Sequence, residues 1–366
     1  MPPCSAKLSN LYLKQIERFV MTFDYDAIVI GAGTSGMAAG IALKKADKSY
    51  VILDRKKEIG VPVRSTGAVS LEWVKRIGMP TDDSIVASKI RSMSFRTDTG
   101  KEISMSFDRP VGLVYDFTKY EKFLSTDYAG KLNIKLNTAV NSVSGNKVIT
   151  DNEELTAKYI IMAAGPQSNL GRKMAKDEYL VAYEETRELP ARSDHQMILW
   201  FSDSSPGGYF WDFADSKGTR KIGVCYYPLQ PNQPRKVLAE FTERFPEVKG
   251  TPLHSMAHQI PLGAPVESVY SGNTMYVGDM VNAVLNTTAG GLQGAFWTGF
   301  SAGMAVAQDN PEVYQKKWDS EIKPWLMRHH NLHRKIHRDG VRSVGKYITL
   351  AKIMPKSMKK KVFGGL

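Results

Sequence analysis

Cysteine is almost missing from this chain: 366 residues hold two, Cys4 and Cys225, in unrelated contexts. A disulfide framework, an iron–sulfur centre and a cysteine-held zinc are thereby excluded, and a reducing cytoplasm is the expected setting. Long apolar runs are missing too. No stretch reaches the ~20 uninterrupted apolar residues that a membrane-spanning helix needs. The most apolar segment, 27–43, is cut by Gly31, Gly33, Gly36 and Gly40. Residues 1–20 lack the charged start, apolar middle and small-residue end of a signal peptide. They carry a weak amphipathic stripe (Leu8, Leu11, Ile16, Phe19), and Met21 stands just before the first expected strand, so an over-long start and a short helix are both compatible.

Acidic residues are outnumbered, 37 Asp and Glu against 49 Lys and Arg, for a net charge of +12. The excess sits at one end. Residues 311–366 hold fourteen Lys and Arg against four acids. A local positive field of that size steers toward an anionic partner such as a phospholipid surface, a nucleic acid or a phosphorylated substrate. The basic residues form no known nucleic-acid recognition module, and their mixture with apolar residues makes an anionic membrane surface the expected partner. Helices packed on the rest of the fold, charged only on their outer face, are the alternative.

What is present is a pattern of alternating elements. The apolar run 26–30 reads as a buried strand, followed by a glycine-rich turn, a helix to about Lys45 and a second strand, 50–53, ending at Asp54. This is the opening of a doubly wound α/β sheet. Further on, 90–96 and 102–107 read as a hairpin, and 195–227 as an antiparallel sheet crowded with aromatic residues. The strand 275–277 and a small-residue helix, 292–308, return to the α/β unit. The expected architecture is a Rossmann-type domain (24–88, 108–176 and 266–310), an inserted antiparallel-sheet substrate domain (89–107 and 177–265) and basic C-terminal helices (311–366), with 1–23 as an extension.

Gly31-Ala32-Gly33-Thr34-Ser35-Gly36 is a G-x-G-x-x-G placed after a strand and opening a helix. Gly31 makes the tight turn, Gly33 admits a pyrophosphate to the backbone, and Gly36 lets helix and strand pack. The helix start offers free N–H groups to phosphate, and Asp54, eighteen residues after Gly36, offers a carboxylate to ribose hydroxyls. Arg55, Lys56 and Lys57 argue equally for a 2′-phosphate of NADP and for a solvated loop. The far end decides for FAD. Gly278-Asp279 follows a buried strand, and Gly290-Gly291-Leu292 opens a helix. A dinucleotide longer than NAD needs such a second anchor: a carboxylate for the ribityl hydroxyls and a helix start near the flavin pyrimidine. Ala164 and Gly165, after the strand 159–163, fit a close passage under the adenine half.

These three elements resemble those of the flavoprotein hydroxylase superfamily, and within it the chain is most similar to the archaeal geranylgeranyl reductases. Two segments carry the narrower resemblance. Pro206-Gly207-Gly208-Tyr209-Phe210-Trp211-Asp212-Phe213 is similar to that branch's P-x-x-Y-x-W-x-F substrate motif, with Ala214 in place of a final proline. Glu58-Ile59-Gly60-Val61-Pro62-Val63-Arg64 is similar to its E-I-G-x-P-V-R loop beside the flavin. The resemblance covers about residues 24–305 and implies one non-covalent FAD, with Arg64 and Ser65 beside it. It also implies an isoprenoid lipid or quinone as substrate and an external electron donor. This chain departs from the pattern at Ser65, where a cysteine is usual, at Thr66-Gly67, and at Met280-Val281-Asn282. All of these lie around the flavin's reactive edge.

Trp200, Tyr209, Trp211 and Phe213 are the candidate substrate residues. Alternation puts Tyr209, Trp211 and Phe213 on one sheet face and Phe210 on the other. Tyr209 is the candidate acid, with Trp211 beside it in the catalytic role. No metal is expected: His329, His333 and His337 share a helix face, but they interleave with Arg and Lys, and no carboxylate or thiolate completes a set. The expected activity is reduction of C=C bonds in isoprenoid chains by hydride from reduced flavin, at the inner face of the membrane. An FAD-dependent monooxygenase of an apolar substrate is the alternative, and oxygen consumption separates the two.

Overall fold

The computed structural model describes residues 22–166, 168–170, 174, 178–190, 196–216, 218–228 and 233–355. Most of the expected N-terminal extension, and the last lysines of the basic tail, lie outside these residues.

The short runs Tyr25–Ile30 and Tyr50–Leu53 consist largely of β-branched and aromatic residues, and they form adjacent parallel strands. Both are covered on both faces, as parallel strands in α/β proteins are. Tyr25–Ile30 is flanked on its other side by Glu154–Met162, also parallel, and Thr274–Tyr276 continues that side. The strand order thus reverses around Tyr25–Ile30, and the crevice at such a switch point is where doubly wound sheets bind ligands.

Helix Thr34–Lys45 crosses this sheet and lies against helix Leu292–Ala307. Their small residues allow backbone contact: a Cβ on Gly299 would fall 1.9 Å from the Ser35 carbonyl oxygen. The middle of the second helix is therefore fixed against the start of the first.

A second sheet has seven strands, in the order Thr251–Pro261, Tyr179–Glu188, Thr219–Tyr226, Tyr209–Ala214, Gln196–Phe201, Ser92–Thr97 and Glu102–Ser106. All pairings are antiparallel except that between Gln196–Phe201 and Ser92–Thr97. One face, with Met197, Leu199, Tyr209, Trp211 and Phe213, belongs to a core shared with the nucleotide half. The other face, with Ile198, Trp200, Phe210, Ile222 and Val224, packs on helix Pro234–Arg244.

The basic C-terminal segment is built into the body. Tyr314, Trp318, Ile322 and Leu326, spaced four apart along a continuous helical run, sit in the nucleotide-domain core. Trp325 packs at a tilt against Trp73, with ring centroids 4.1 Å apart. Helix Gly340–Ile353 then lays Val341, Val344, Ile348 and Ala351 on the seven-stranded sheet. Only the outer side is charged.

Candidate active site

One cavity runs from the turn Gly31–Gly33 past Asp279 and Gly290–Leu292 to Trp211 and Phe213. Its first end is set by local chain chemistry. Gly31 takes φ +109°, and a Cβ there would lie 2.3 Å from the Ala163 carbonyl oxygen. Gly33 precedes helix Thr34–Lys45 with no side chain capping it, and a Cβ there would meet nothing within 4 Å. Free helix N–H groups therefore face open space, the arrangement that receives a phosphate. Gly36 lies behind the turn, off the cavity wall, where a Cβ would fall 1.7 Å from the Gly31 carbonyl oxygen.

Asp54 is buried at the end of its strand. Its Oδ2 accepts from the Ala32 N–H at 2.6 Å and its Oδ1 from the Lys56 N–H at 2.8 Å, so the carboxylate shapes the turn as well as lining the cleft. Lys56 turns inward, its Nζ donating to the Ala32 carbonyl (3.3 Å) and to Glu121 Oε2 (3.2 Å). That geometry removes Lys56 as a 2′-phosphate ligand. Glu121 also accepts from the Gly60 N–H at 3.1 Å and so anchors the loop carrying Arg64. Burial pushes the Glu121 carboxyl up, against the opposing pull of Lys56.

At the other end, Asp279 and the uncapped start of helix Leu292–Ala307 at Gly291 line the same cavity. Gly278 stands behind Asp279, its N–H donating to Thr298 Oγ1 at 2.9 Å. The Gln293 side-chain carbonyl oxygen is buried and has no hydrogen-bond partner among the described residues. Ala164, Gly165, Arg55, Arg64 and Ser65 also line the cavity; the Ser65 hydroxyl accepts from the Gly67 N–H at 3.1 Å. Two uncapped helix starts, a carboxylate beside each and an orphaned buried acceptor fit FAD. A nicotinamide dinucleotide would leave the second set unused.

The apolar half of the cavity is walled by Met93, Met197, Leu199, Tyr209, Trp211 and Phe213. Trp200 is a correction. It points to the opposite sheet face, where it packs edge-on against Phe241 (5.5 Å) beside Phe245, and it cannot touch a ligand in this cavity. Tyr209 lines the cavity, but its hydroxyl donates to the Thr288 carbonyl, and burial pushes the phenol well above its ordinary range. Such a group is a poor acid. Trp211 donates its indole N–H to Glu184 Oε2 at 2.9 Å.

Glu184 was not expected from the sequence. It lies midway along Tyr179–Glu188, the strand next to the sheet's edge, and faces the cavity. Its Oε2 also accepts from the Thr66 hydroxyl at 2.6 Å. Lys221, on the neighbouring strand, donates to the Thr66 and Tyr115 carbonyls at 2.8 and 3.2 Å and pairs with Asp215 at 3.3 Å. Burial pushes the Glu184 carboxyl up; the Lys221 charge and the two hydrogen bonds offset part of that rise.

The histidines of helix Lys323–Ile336 pin the rim of the cavity. His329 Nδ1 lies 2.7 Å from Thr287 Oγ1, Asn286 donates to His330 Nδ1 at 3.1 Å, and His333 Nε2 donates to the Gly207 carbonyl at 2.8 Å. Burial holds His329 down to about 4 and His337 to about 3, so both are neutral near pH 7.

Fold and cleft together define an FAD-binding oxidoreductase of the Rossmann class. In agreement, residues 28–199 match the family model described as pyridine nucleotide-disulphide oxidoreductase. Within that class the chain is similar to digeranylgeranylglycerophospholipid reductases. The relative from Methanosphaera stadtmanae, reductase 2, is 26% identical over 308 residues, 77% of this chain and 78% of its own. The one from Methanothrix thermoacetophila is 28% identical over 342 residues, 84% of this chain and 86% of its own. The fold matches that of a geranylgeranyl bacteriochlorophyll reductase-like protein from Thermoplasma acidophilum, with TM-score 0.81 at 20% identity, covering 90% of this chain and 92% of that one. The likeness to geranylgeranyl reductases carried by the two sequence motifs thus extends over most of the chain.

Proposed function

We propose that this chain is an FAD-dependent reductase that saturates C=C bonds in the isoprenoid chains of membrane lipids. The observation that carries the reading is the continuity of one cavity, polar and phosphate-ready at Gly31–Gly33 and apolar and aromatic at Tyr209–Phe213. An isoprenoid chain offers only area and π-edges, which aromatic and methionine walls can match. Reduced flavin supplies the hydride, and an external electron donor restores it. Arg64, Ser65, Asp279 and the start of helix Leu292–Ala307 would hold the flavin. Tyr209, Trp211 and Phe213 would align the alkene and exclude water, and alignment is the larger part of the task for a double bond without an activating carbonyl. With dithionite-reduced protein and a digeranylgeranyl phospholipid, products gain two hydrogens per reduced bond. Trp211→Ala lowers turnover or changes which bonds are reduced while the flavin spectrum persists. A hydroxylated product formed with oxygen and NAD(P)H would replace this reading with a monooxygenase.

The substrate's location suggests a docking surface. No described helix is long and apolar enough to cross a membrane. The outer side of helix Gly340–Ile353 exposes Tyr347, Leu350 and Ile353 (38, 54 and 79% exposed) among Arg342, Lys346 and Lys352. That mixture suits a helix lying at an anionic interface. Because the tail's inner side is core, truncation would unfold the protein, and surface substitution is the cleaner test. Arg342→Gln with Lys346→Gln removes about 1 kcal/mol per charge at an anionic surface. Flotation with anionic liposomes falls roughly thirtyfold in affinity while FAD stays bound. Unchanged flotation, or none in the parent protein, would remove the membrane from the account.

A further inference from the structure

The reduction needs a proton as well as a hydride, and the residue first suspected of supplying it, Tyr209, is bonded to a backbone carbonyl. The other acids of the cavity are placed elsewhere. Glu121 is engaged by Lys56 and Gly60 behind the loop, and Asp54 holds the phosphate turn. Asp279 lies beside His258, 3.7 Å from its Nε2. Among the described residues one carboxyl remains on the aromatic half: Glu184, 3% exposed and bonded to the indole that walls the apolar space. We propose that Glu184 is the proton donor of the reduction, passing the proton of its carboxylic acid to the alkene carbon opposite the one that takes the hydride. This rests on the reductase reading above.

The atoms balance. The Glu184 O–H bond breaks, and the π pair of the double bond forms the new C–H bond with that proton. The second carbon would take the hydride that a bound reduced flavin supplies. The products would then be the saturated chain, the oxidised cofactor and the Glu184 carboxylate. The Thr66 hydroxyl and the Trp211 indole already donate to Glu184 Oε2 and would stabilise that carboxylate. Lys221, fixed by the Thr66 and Tyr115 carbonyls, contributes a buried positive charge. A solvent proton restores the acid. Burial raises the Glu184 carboxyl, the direction that keeps a proton available near neutral pH.

Glu184→Gln, close to the parent in shape, tests the proposal with two readouts. Infrared difference spectra of the oxidised holoprotein at pH 7, without substrate, show the carbonyl stretch of an un-ionised carboxylic acid that is missing from Glu184→Gln. In single turnovers with reduced flavin and a digeranylgeranyl phospholipid, Glu184→Gln slows product formation by about 10²- to 10⁴-fold, the usual contribution of a positioned acid. Its FAD content and spectrum stay unchanged. Glu184→Asp, with its shorter acid, recovers part of the rate. If wild type reduces the lipid and Glu184→Gln does so equally fast, the proton-donor proposal is overturned and the reductase reading stands. Identical infrared spectra for the two proteins would also overturn it, since Glu184 would then be ionised. If wild type reduces no isoprenoid, the reductase reading fails and takes the proposal with it.

Discussion

Gly33→Val yields a folded, colourless protein. A Cβ at Gly33 meets no protein atom within 4 Å, and the backbone there, at φ −85°, is open to any residue. The chain itself therefore has no objection to the substitution. The space a valine would fill lies in front of the uncapped N–H groups of helix Thr34–Lys45, where a pyrophosphate must approach. Denaturation midpoints of the two apoproteins should agree within about 0.5 kcal/mol, the usual range for surface changes. The flavin released by heat or acid falls from near one per chain in the parent to none in the variant. A yellow Gly33→Val protein would mean that the cofactor approaches along some other path. Gly31→Ala is the contrasting case. With φ +109° and the Ala163 carbonyl 2.3 Å from the added carbon, it distorts the turn and lowers stability too.

Asp212→Ala is the substitution expected to cost the most stability. Asp212 sits within the aromatic motif that suggested a substrate site, but its side chain faces away from the cavity. It pairs with Arg220 at 2.7 Å, and the two side chains are 0 and 5% exposed. Arg220 also donates to the Glu247 carbonyl, tying the seven-stranded sheet to the turn after helix Pro234–Arg244. Removing Asp212 takes a buried negative charge from beside the Arg220 guanidinium, and losing one partner of a buried pair costs about 3–5 kcal/mol. Replacing both, as in Asp212→Ala with Arg220→Met, should recover a large part of that loss. Urea unfolding of the single and double variants measures it. Equal stability of Asp212→Ala and the parent would show that the pair contributes nothing.

The two helix starts that line the cavity, after Gly33 and at Gly291, were legible because a strand, a glycine-rich turn and a helix start are local features of the chain. A strand, three spaced glycines and a terminal acid lie within thirty residues. The aromatic wall was legible by alternation at Tyr209, Trp211 and Phe213. Trp200 was misplaced because Gln196–Phe201 is covered on both faces and its apolar run hides the two-residue period. Its parity with Ile198, against Met197 and Leu199, sets its side. The strand Tyr179–Glu188 was missed because Glu184-Glu185-Thr186-Arg187-Glu188 looks like solvated surface. Inside the fold, Glu185 and Arg187 satisfy each other (Nη2 to Oε2 2.6 Å) and Glu184 turns to the cavity. In the tail, the density of lysine and arginine masked the four-residue stripe Tyr314, Trp318, Ile322 and Leu326, which signals packing. Pairings across distant strands carry no local mark, so the acid of the site could be found only in the folded chain.

The most direct test of the central claim is anaerobic re-oxidation of the reduced holoprotein by its lipid. The protein is reduced to the flavin end point without excess reductant and mixed, free of oxygen, with a digeranylgeranyl phospholipid in anionic vesicles. The account predicts that the oxidised-flavin absorbance returns, with one double bond saturated per flavin re-oxidised. A flavin that stays reduced until oxygen is admitted, and then leaves an oxygen atom in the product, would contradict it.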